Sequence, residues 1–429
     1  MSYQHYLSAE RLLNEGLIRR SLSFEREGKT PRDPAQKMAA MNAFLEDCDH
    51  PERGIPAVHV AGTSGKGSVA AAVAGILHCA GFKVGLHVSP YLQAALEKIW
   101  IGGRFISASA FEALVDWVYP IAVRRLHSDT PASVHGMASV IVALEAFRRE
   151  KVDVMVFEAG CGGRYDLSNV LDTCVGVVTN VGLDHLVSLG PELEQIAWHK
   201  AGIAKPGVPL VTGATGIPLA VIADEAKRVG AELIEVPKVA DAFAHNRIIA
   251  ETAAGLTAER LGRPLPAEFD VVRAAAVRMA GRSEVMPTEG PRVILDGAHN
   301  PEKLAVAVSS ALGKANPGRR VLLFGAIGSH ASPEMTAPLS GKFDHIITTE
   351  PRVYAKSVNP ADETLSLFSG ESCPVEAVSS AEVAFDRALR IAGSDGTVLV
   401  TGSFYLLAWI RERYYPKTQV VLQRTSFPV

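Results

Sequence analysis

The stretch Ala57-Val58-His59-Val60-Ala61-Gly62-Thr63-Ser64-Gly65-Lys66-Gly67-Ser68-Val69-Ala70-Ala71-Ala72-Val73-Ala74 decides how the chain is read. It opens as a strand, passes through a glycine-rich turn and closes as a helical, alanine-rich run. Glycines let successive backbone N–H groups converge on phosphate oxygens, and a helix N-terminus adds partial positive charge. Lys66 is placed to reach a transferred phosphate, and Ser68 to face Mg²⁺ or a phosphate. The common phosphate loop has four residues between its first Gly and its Gly-Lys pair; here Thr63 and Ser64 alone fill that gap. A bare Gly-x-x-Gly is often only a tight turn. The Lys-Gly-Ser that follows and the elements on both sides weigh against that reading, so residues Gly62, Thr63, Ser64, Gly65, Lys66, Gly67 and Ser68 are the candidate ATP-binding loop.

Working outward, short apolar runs alternate with helical stretches along the chain. Strands are expected at 57–61, 83–88, 152–157, 175–179, 209–212, 292–295, 320–324, 345–349 and 397–401, with helices between them as at 68–80 and 301–312. Many of the runs are almost continuously apolar, which is how strands covered on both faces of a parallel sheet read. The βαβα order argues for an α/β chain with open parallel sheets. A breaker-rich stretch, Met286-Pro287-Thr288-Glu289-Gly290-Pro291, precedes a fresh strand and marks a boundary. The expected domains are therefore 1–287 and 288–429, the second with a small sheet of its own. A loop signal at 30–34 interrupts an otherwise helical N-terminal arm.

The 429 residues suit two domains. At 48% hydrophobic, 21% charged and net charge −3, the composition is that of a globular protein with sizeable cores. It gives no footprint for electrostatic capture of nucleic acid or an anionic membrane. No apolar run reaches the roughly 18 residues a bilayer span needs, and the first residues lack a signal-peptide core. Five scattered cysteines (Cys48, Cys79, Cys161, Cys174 and Cys373) form neither a zinc pattern nor a disulfide framework, so a cytoplasmic protein with reduced thiols is expected.

Three further residues carry chemistry. Glu158 ends an apolar run and opens into Gly160-Cys161-Gly162-Gly163-Arg164-Tyr165-Asp166. A carboxylate at the carboxyl end of a parallel strand sits where α/β sheets bind ligands, and it suits Mg²⁺; a cap on the next element is the plainer alternative. His185 lies just past the next strand end, on the same edge, which favours a ligand over a hydrogen-bonded core histidine. Lys200, in Trp198-His199-Lys200-Ala201-Gly202, reads from its neighbours alone as a solvated helix lysine.

Together these stretches resemble the Mur ligase superfamily, in its folylpolyglutamate synthase/dihydrofolate synthase branch. The matching segments are 59–68, 84–92, 158–169, 179–185, 200–203, 281–284, 295–301 and 402–406, in family order. The resemblance implies an N-terminal P-loop ATPase domain with a mostly parallel central sheet and a smaller C-terminal Rossmann-like domain. The implied enzyme is an ATP-dependent acid–amino-acid ligase of folate biosynthesis and one-carbon metabolism. It would join L-glutamate to a small-molecule carboxylate acceptor, dihydropteroate or a tetrahydrofolate-glutamate, through an acyl phosphate, acting as a monomer. The resemblance further implies two Mg²⁺ ions held by Ser68, Ser89, Glu158, His185 and a CO2-derived carbamate on Lys200. It implies nucleotide contacts at Asn246, Arg282 and Asp296, catalytic roles for Lys66, Lys200 and His299, and substrate contacts at Tyr91, Arg164, Tyr165, Asp166 and Ser403.

The departures from the family pattern lie toward the acceptor. Tyr91 stands where the family has His, Lys98 where it has Arg, His199 where it has Glu, and Phe243 where it has Gln. Val134-His135-Gly136-Met137 replaces the family's Thr-x-Phe-Glu, which helps form the pterin pocket. Ser329-His330 replaces Lys-Asp. Exchanging Phe and Glu for Gly and Met removes a stacking surface and a hydrogen-bond acceptor. A paralogue running the same chemistry on a non-folate carboxylate is therefore the first alternative. A non-catalytic nucleotide-binding protein on the same fold is the second, and an unrelated P-loop kinase or ATPase the third.

Overall fold

The computed structural model describes residues 3–18, 34–126, 134–328, 332–353 and 357–429. Of the loop signal at 30–34, residues 30–33 lie outside them, as does Ser329-His330, and Pro34 opens the helix Pro34–Asp47. The chain divides into two compact units: Met1–Tyr91 with Ala95–Arg278, and Leu92–Ala94 with Met279–Val429.

The first unit is built on eight strands: β1 (Ala57–Ala61), β2 (Val84–His87), β3 (Ile99–Ile101), β4 (Arg104–Phe105), β5 (Val154–Glu158), β6 (Thr173–Val178), β7 (Pro209–Thr212) and β8 (Glu232–Glu235). Their order is β4-β3-β2-β5-β1-β6-β7-β8. From β2 to β8 every pair is parallel, and only the β2–β3–β4 edge is antiparallel. Strands β1 and β5 are buried along their whole length, in keeping with their unbroken apolar character. Register sets the working edge: Val60 pairs with Glu158 and Ala61 with Val178. The turns after β1, β5 and β6 therefore open side by side. The helix Lys66–Cys79 lays a face that is mostly Ala on the sheet, and at Gly75 it lets the helix Val271–Ala275 approach, since a Cβ there would lie 2.6 Å from the carbonyl of Ala274.

His87, on β2, shows what this interior demands. Its ring stacks on Phe157 at 4.2 Å, neither ring nitrogen has a partner, and burial holds its pKa down to about 3.

The second unit holds β9 (Glu284–Val285), β10 (Arg292–Leu295), β11 (Arg320–Phe324), β12 (His345–Glu350), β13 (Val375–Ser380) and β14 (Thr397–Thr401), ordered β13-β12-β11-β14-β10-β9. All pairs are parallel except β9–β10. The boundary expected at 287/288 is corrected here: the units part between Arg278 and Met279. The breaker-rich stretch is the turn joining β9 to β10, closed by Met286 N–H donating to the Val293 carbonyl at 2.9 Å. Pro and Gly build a hairpin connection as readily as a linker. In this unit Arg411 is fully buried; its guanidinium meets Glu284 at 2.9 Å, bonds Gln93, and lies over the Tyr415 ring.

Arg411→Ala leaves the Glu284 carboxylate uncompensated, so a loss of about 3–5 kcal/mol is expected in urea unfolding; a double Arg411→Met, Glu284→Gln variant should lose clearly less. His87 titrates near 6.5 when unfolded and near 3 when folded, so its contribution is complete above pH 6.5 and is lost as pH falls toward 3. At pH 5 the loss is on the order of 2 kcal/mol. His87→Phe should therefore narrow the gap between urea midpoints at pH 7.5 and pH 5.

Candidate active site

The phosphate loop follows β1 as expected. Gly62 and Gly65 have φ of 148° and 78°, and Gly65 leads directly into the helix Lys66–Cys79. Side chains close in on both glycines: an added Cβ would lie 1.9 Å from Thr179 Oγ1 at Gly62 and 2.7 Å from Asn246 Oδ1 at Gly65. Asn246, in the first turns of the helix Ala242–Arg260, thus lies against the loop at Gly65.

Two residues that sequence reasoning left without a role brace this loop. Asn180 Oδ1 accepts the Thr63 and Ser64 N–H groups at 3.2 and 2.8 Å, and Thr179 Oγ1 donates to the Ser64 carbonyl at 2.7 Å. The Thr63 and Ser64 amides are therefore already engaged inside the loop. Those donors are turned to Asn180, and the first N–H groups of the helix from Lys66 onward remain. Thr63 Oγ1 exchanges hydrogen bonds with the backbone of Gly182, tying the loop to the turn that carries His185. The only clue in the letters was two polar residues at the end of an apolar strand.

Lysines gather at the root of the loop. Lys66 Nζ donates to the Gly62 carbonyl at 3.1 Å, and Lys200 Nζ donates to the same oxygen at 2.9 Å. Lys200 is buried at 2% exposure, so the solvated-helix reading is wrong for this residue. Its helix, Leu193–Ala201, buries the face that carries Ile196, Ala197, Lys200 and Ala201.

Glu158 is buried at the end of β5, and its Oε2 accepts the Ser89 N–H at 2.9 Å. Ser89 and Glu158 are thus brought together. His185, in the left-handed region at φ 53°, is exposed and donates its backbone N–H to the buried Asp184. Ser68 stands in the first turn of the helix, half-buried. No three His, Cys, Asp or Glu side chains cluster as a metal group among the described residues; the expected set holds only two residues of those types, Glu158 and His185.

The residues fit a magnesium–nucleotide phosphate group. The Ser64 hydroxyl is buried without a partner, a helix N-terminus faces the loop, two ammonium groups flank it, and the donors beside it are the oxygens hard cations prefer.

Asp166 and Arg164, expected at the substrate, each hold contacts within the protein. Asp166 Oδ2 accepts the Gly160 and Cys161 N–H groups, each at 3.0 Å, and Oδ1 accepts from Ser168. Arg164 pairs with Glu225 at 2.8 Å and lies 3.9 Å over the Trp198 ring. Tyr165 meets the edges of Trp198 and His199, beside a cavity of ≈ 570 Å³ lined in part by those last two residues. Nearer β2, Tyr91 Oη accepts from Asn14 Nδ2 and Asn14 Oδ1 accepts from His135 Nε2, both at 3.0 Å. The half-buried Lys98 sits 5.4 Å from the Tyr91 ring centre. Burial lowers Lys98 to about 8 and His135 to about 4.

In the second unit, Asp296 accepts the Ser283 and Ala298 N–H groups at 2.8 and 2.9 Å; burial raises its pKa, against the pull of Arg282. Arg282 lies over the Phe404 ring at 4.6 Å. His299 bonds the Gly297 carbonyl through Nδ1 and Lys303 through Nε2. Ser403, expected at a substrate, is buried and caps its helix by accepting the Tyr405 N–H. Phe243 is exposed.

A parallel sheet that feeds a short lysine-bearing loop into a helix, beside a carboxylate at the next strand end, defines a nucleotide-dependent enzyme of the Mur ligase kind. Residues 281–404 match the Mur ligase, glutamate ligase domain. Over 416 residues the chain is 31% identical to the dihydrofolate synthase/folylpolyglutamate synthase of Bacillus subtilis, covering 88% of this chain and 94% of that protein. The chain belongs to this dihydrofolate synthase/folylpolyglutamate synthase family of ligases. It is also 31% identical to a probable bifunctional folylpolyglutamate synthase/dihydropteroate synthase of Haloferax volcanii, over 90% of this chain but only 49% of that protein. It thus spans about half the length of that relative. Among solved structures, Escherichia coli FolC in complex with DHPP and ADP superposes at TM-score 0.73 with 26% identity, covering 88% of this chain and 92% of that one. A bifunctional folylpolyglutamate synthase/dihydrofolate synthase with Mn, AMPPNP and L-glutamate bound superposes at 0.74 with 26% identity, covering 88% and 93%. No described helix is long and apolar enough to cross a membrane.

Gly62→Ala would force a Cβ into Thr179 at a left-handed φ, a strain of about 1–3 kcal/mol. A tenfold or greater loss of affinity for a fluorescent ATP analogue is expected, with far-UV circular dichroism unchanged.

Proposed function

We propose that this protein is an ATP-dependent amide ligase that joins L-glutamate to dihydropteroate or a tetrahydrofolate-glutamate, releasing ADP and phosphate. The observation that carries the reading is the meeting of Lys66 and Lys200 on the Gly62 carbonyl at the mouth of the phosphate loop. The solved relatives that hold DHPP with ADP, and AMPPNP with Mn and L-glutamate, support the same substrates here.

A carboxylate is a poor electrophile, because its charge and resonance repel an amine. Phosphorylation gives it a good leaving group, and phosphoryl transfer asks for positioning and charge neutralisation more than covalent help. Lys66 and the helix N-terminus hold the γ-phosphate and balance the charge that builds on its oxygens. Asn246 lies against the loop for the nucleotide. Two Mg²⁺ ions, with Ser68, Ser89, Glu158 and His185 as their residues, supply Lewis-acid neutralisation when bound. Lys200, once its ammonium gives up a proton, would add CO2 and release a second proton, and the resulting carbamate would serve as a carboxylate-like metal ligand. Arg282, Asp296 and His299 serve the nucleotide and transfer steps, and Ser403 holds the helix beside them. The deprotonated amine of L-glutamate attacks the acyl carbon, and phosphate leaves from the tetrahedral intermediate. The free cysteines support a cytoplasmic setting, and a monomer is the simplest working unit.

One observation favours the same chemistry on a non-folate acceptor. Tyr91 and His135, two residues that depart from the family pattern, the second in the stretch that replaces its pterin-pocket motif, are joined through Asn14. An ATPase screen decides between them. ADP release with dihydropteroate plus L-glutamate, and not with either alone, supports the folate ligase. Turnover with another carboxylate alone identifies the paralogue, and nucleotide binding without turnover identifies a binding protein. Lys66→Ala should lower turnover roughly 10²–10³-fold, and hydroxylamine should trap an acyl hydroxamate only when the active acceptor is present.

A further inference from the structure

A buried hydrogen-bond chain joins the root of the phosphate loop to the turn after Glu158. His59 lies on β1, three residues before Gly62, and is fully buried. Its Nε2 is 2.7 Å from Ser168 Oγ, and Ser168 Oγ donates to Asp166 Oδ1. Asp166 Oδ2 in turn accepts the Gly160 and Cys161 N–H groups. Because the serine proton goes to the carboxylate, Ser168 Oγ accepts from His59, which fixes the Nε2–H tautomer. The other nitrogen, Nδ1, is buried without a partner.

The bracket has a second arm. Asn169 Nδ2 donates to the Arg164 and Gly202 carbonyls at 2.9 and 3.1 Å, and Asn169 Oδ1 accepts from Lys205 at 2.9 Å. The 160–169 turn is thereby fastened on one side to β1 and on the other to the chain just after Lys200. His59, Asp166 and Ser168 are each no more than 6% exposed, so the chain of bonds runs through the interior. An interior that needed only packing would hold apolar side chains here, since burying an imidazole and a carboxylate is costly unless both are bonded.

We propose that His59 is a positioning residue which, through Ser168 and Asp166, fixes the Glu158 turn against the phosphate loop and so sets the affinity for magnesium–nucleotide. The inference rests on the nucleotide site assigned above. Hydrogen-bond partners one step removed from metal ligands typically change metal affinity about 10–100-fold when lost, and the lower end is expected for a chain that acts through a backbone turn.

The test measures Mg²⁺ dependence of ADP binding by calorimetry, which needs no acceptor and no turnover, together with the melting temperature. Ser168→Ala and His59→Leu should raise the half-saturating Mg²⁺ roughly tenfold, while His59→Gln, whose amide keeps a donor toward Ser168, should restore it. Ser168→Thr should behave as wild type. If Ser168→Ala and His59→Leu lower only the melting temperature, with Mg²⁺ dependence unmoved, the chain is packing and the inference is wrong. Equal Mg²⁺ dependence in His59→Leu and His59→Gln would also overturn it. Wild-type protein that binds no ADP would instead overturn the nucleotide site itself, a result separate from either of these.

Discussion

The carbonyl oxygen of Gly62 accepts from two lysine ammonium groups, Lys66 and Lys200. Both nitrogens lie within hydrogen-bond reach of one atom, so they are no more than about 6 Å apart. At an effective dielectric near 20, two such charges repel by about 3 kcal/mol. The arrangement persists because each lysine is delivered by a separately packed helix. One begins at the loop itself; the other presents Lys200 from a buried face among Ile196, Ala197 and Ala201. A site that concentrates positive charge in this way is completed by an anion, and a triphosphate bound with magnesium supplies one. Carbamylation of Lys200 would remove the repulsion by another route, replacing one cation with an anion.

The parallel core of each unit was legible because strands covered on both faces carry uninterrupted apolar runs. Strands β1, β7, β10, β11 and β14 lie at their expected positions, and β5 is displaced by two residues at its start. The strands missed are at edges or next to them. Glu232-Leu233-Ile234-Glu235 has charged ends and only partly buried centres, and β13 shows no fully buried position. The short β3–β4 hairpin and the two-residue β9 are too brief for periodicity to register. The misplaced boundary has a related cause. Composition reveals that the backbone turns near 286–291, but pairing decides whether the turn joins two strands of one sheet or separates two units.

The candidate site was legible where chemistry is written in backbone and charge. Glycines at positive φ, a lysine at the helix start and a carboxylate at a strand end all stand where their letters indicated. What sequence missed is the bracing between distant turns. Asn180 and Thr179 look like strand-end residues until the fold brings them to Thr63 and Ser64. Asp166 looks like a substrate ligand because it follows a glycine-rich turn, yet its lone pairs are taken up by that same turn. Lys200 looks solvated because helical spacing alone does not say which face is covered.

The two sides of the site rest on different physics, and this explains why one follows the family pattern and the other does not. The phosphate side depends on backbone amides, glycine conformations and full charges, so few exchanges there leave it intact. Two of the departures from the pattern depend on side chains bonded to one another: Tyr91 takes its hydrogen bond from Asn14, whose carbonyl accepts from the donor on His135. All three are half-buried, and a change at one end leaves the amide between them with one partner fewer. Tyr91 for His and His135 within the altered 134–137 stretch read, one letter at a time, as unrelated drift. In the fold they are two ends of a single bridge through Asn14, so the two exchanges are coupled through one amide.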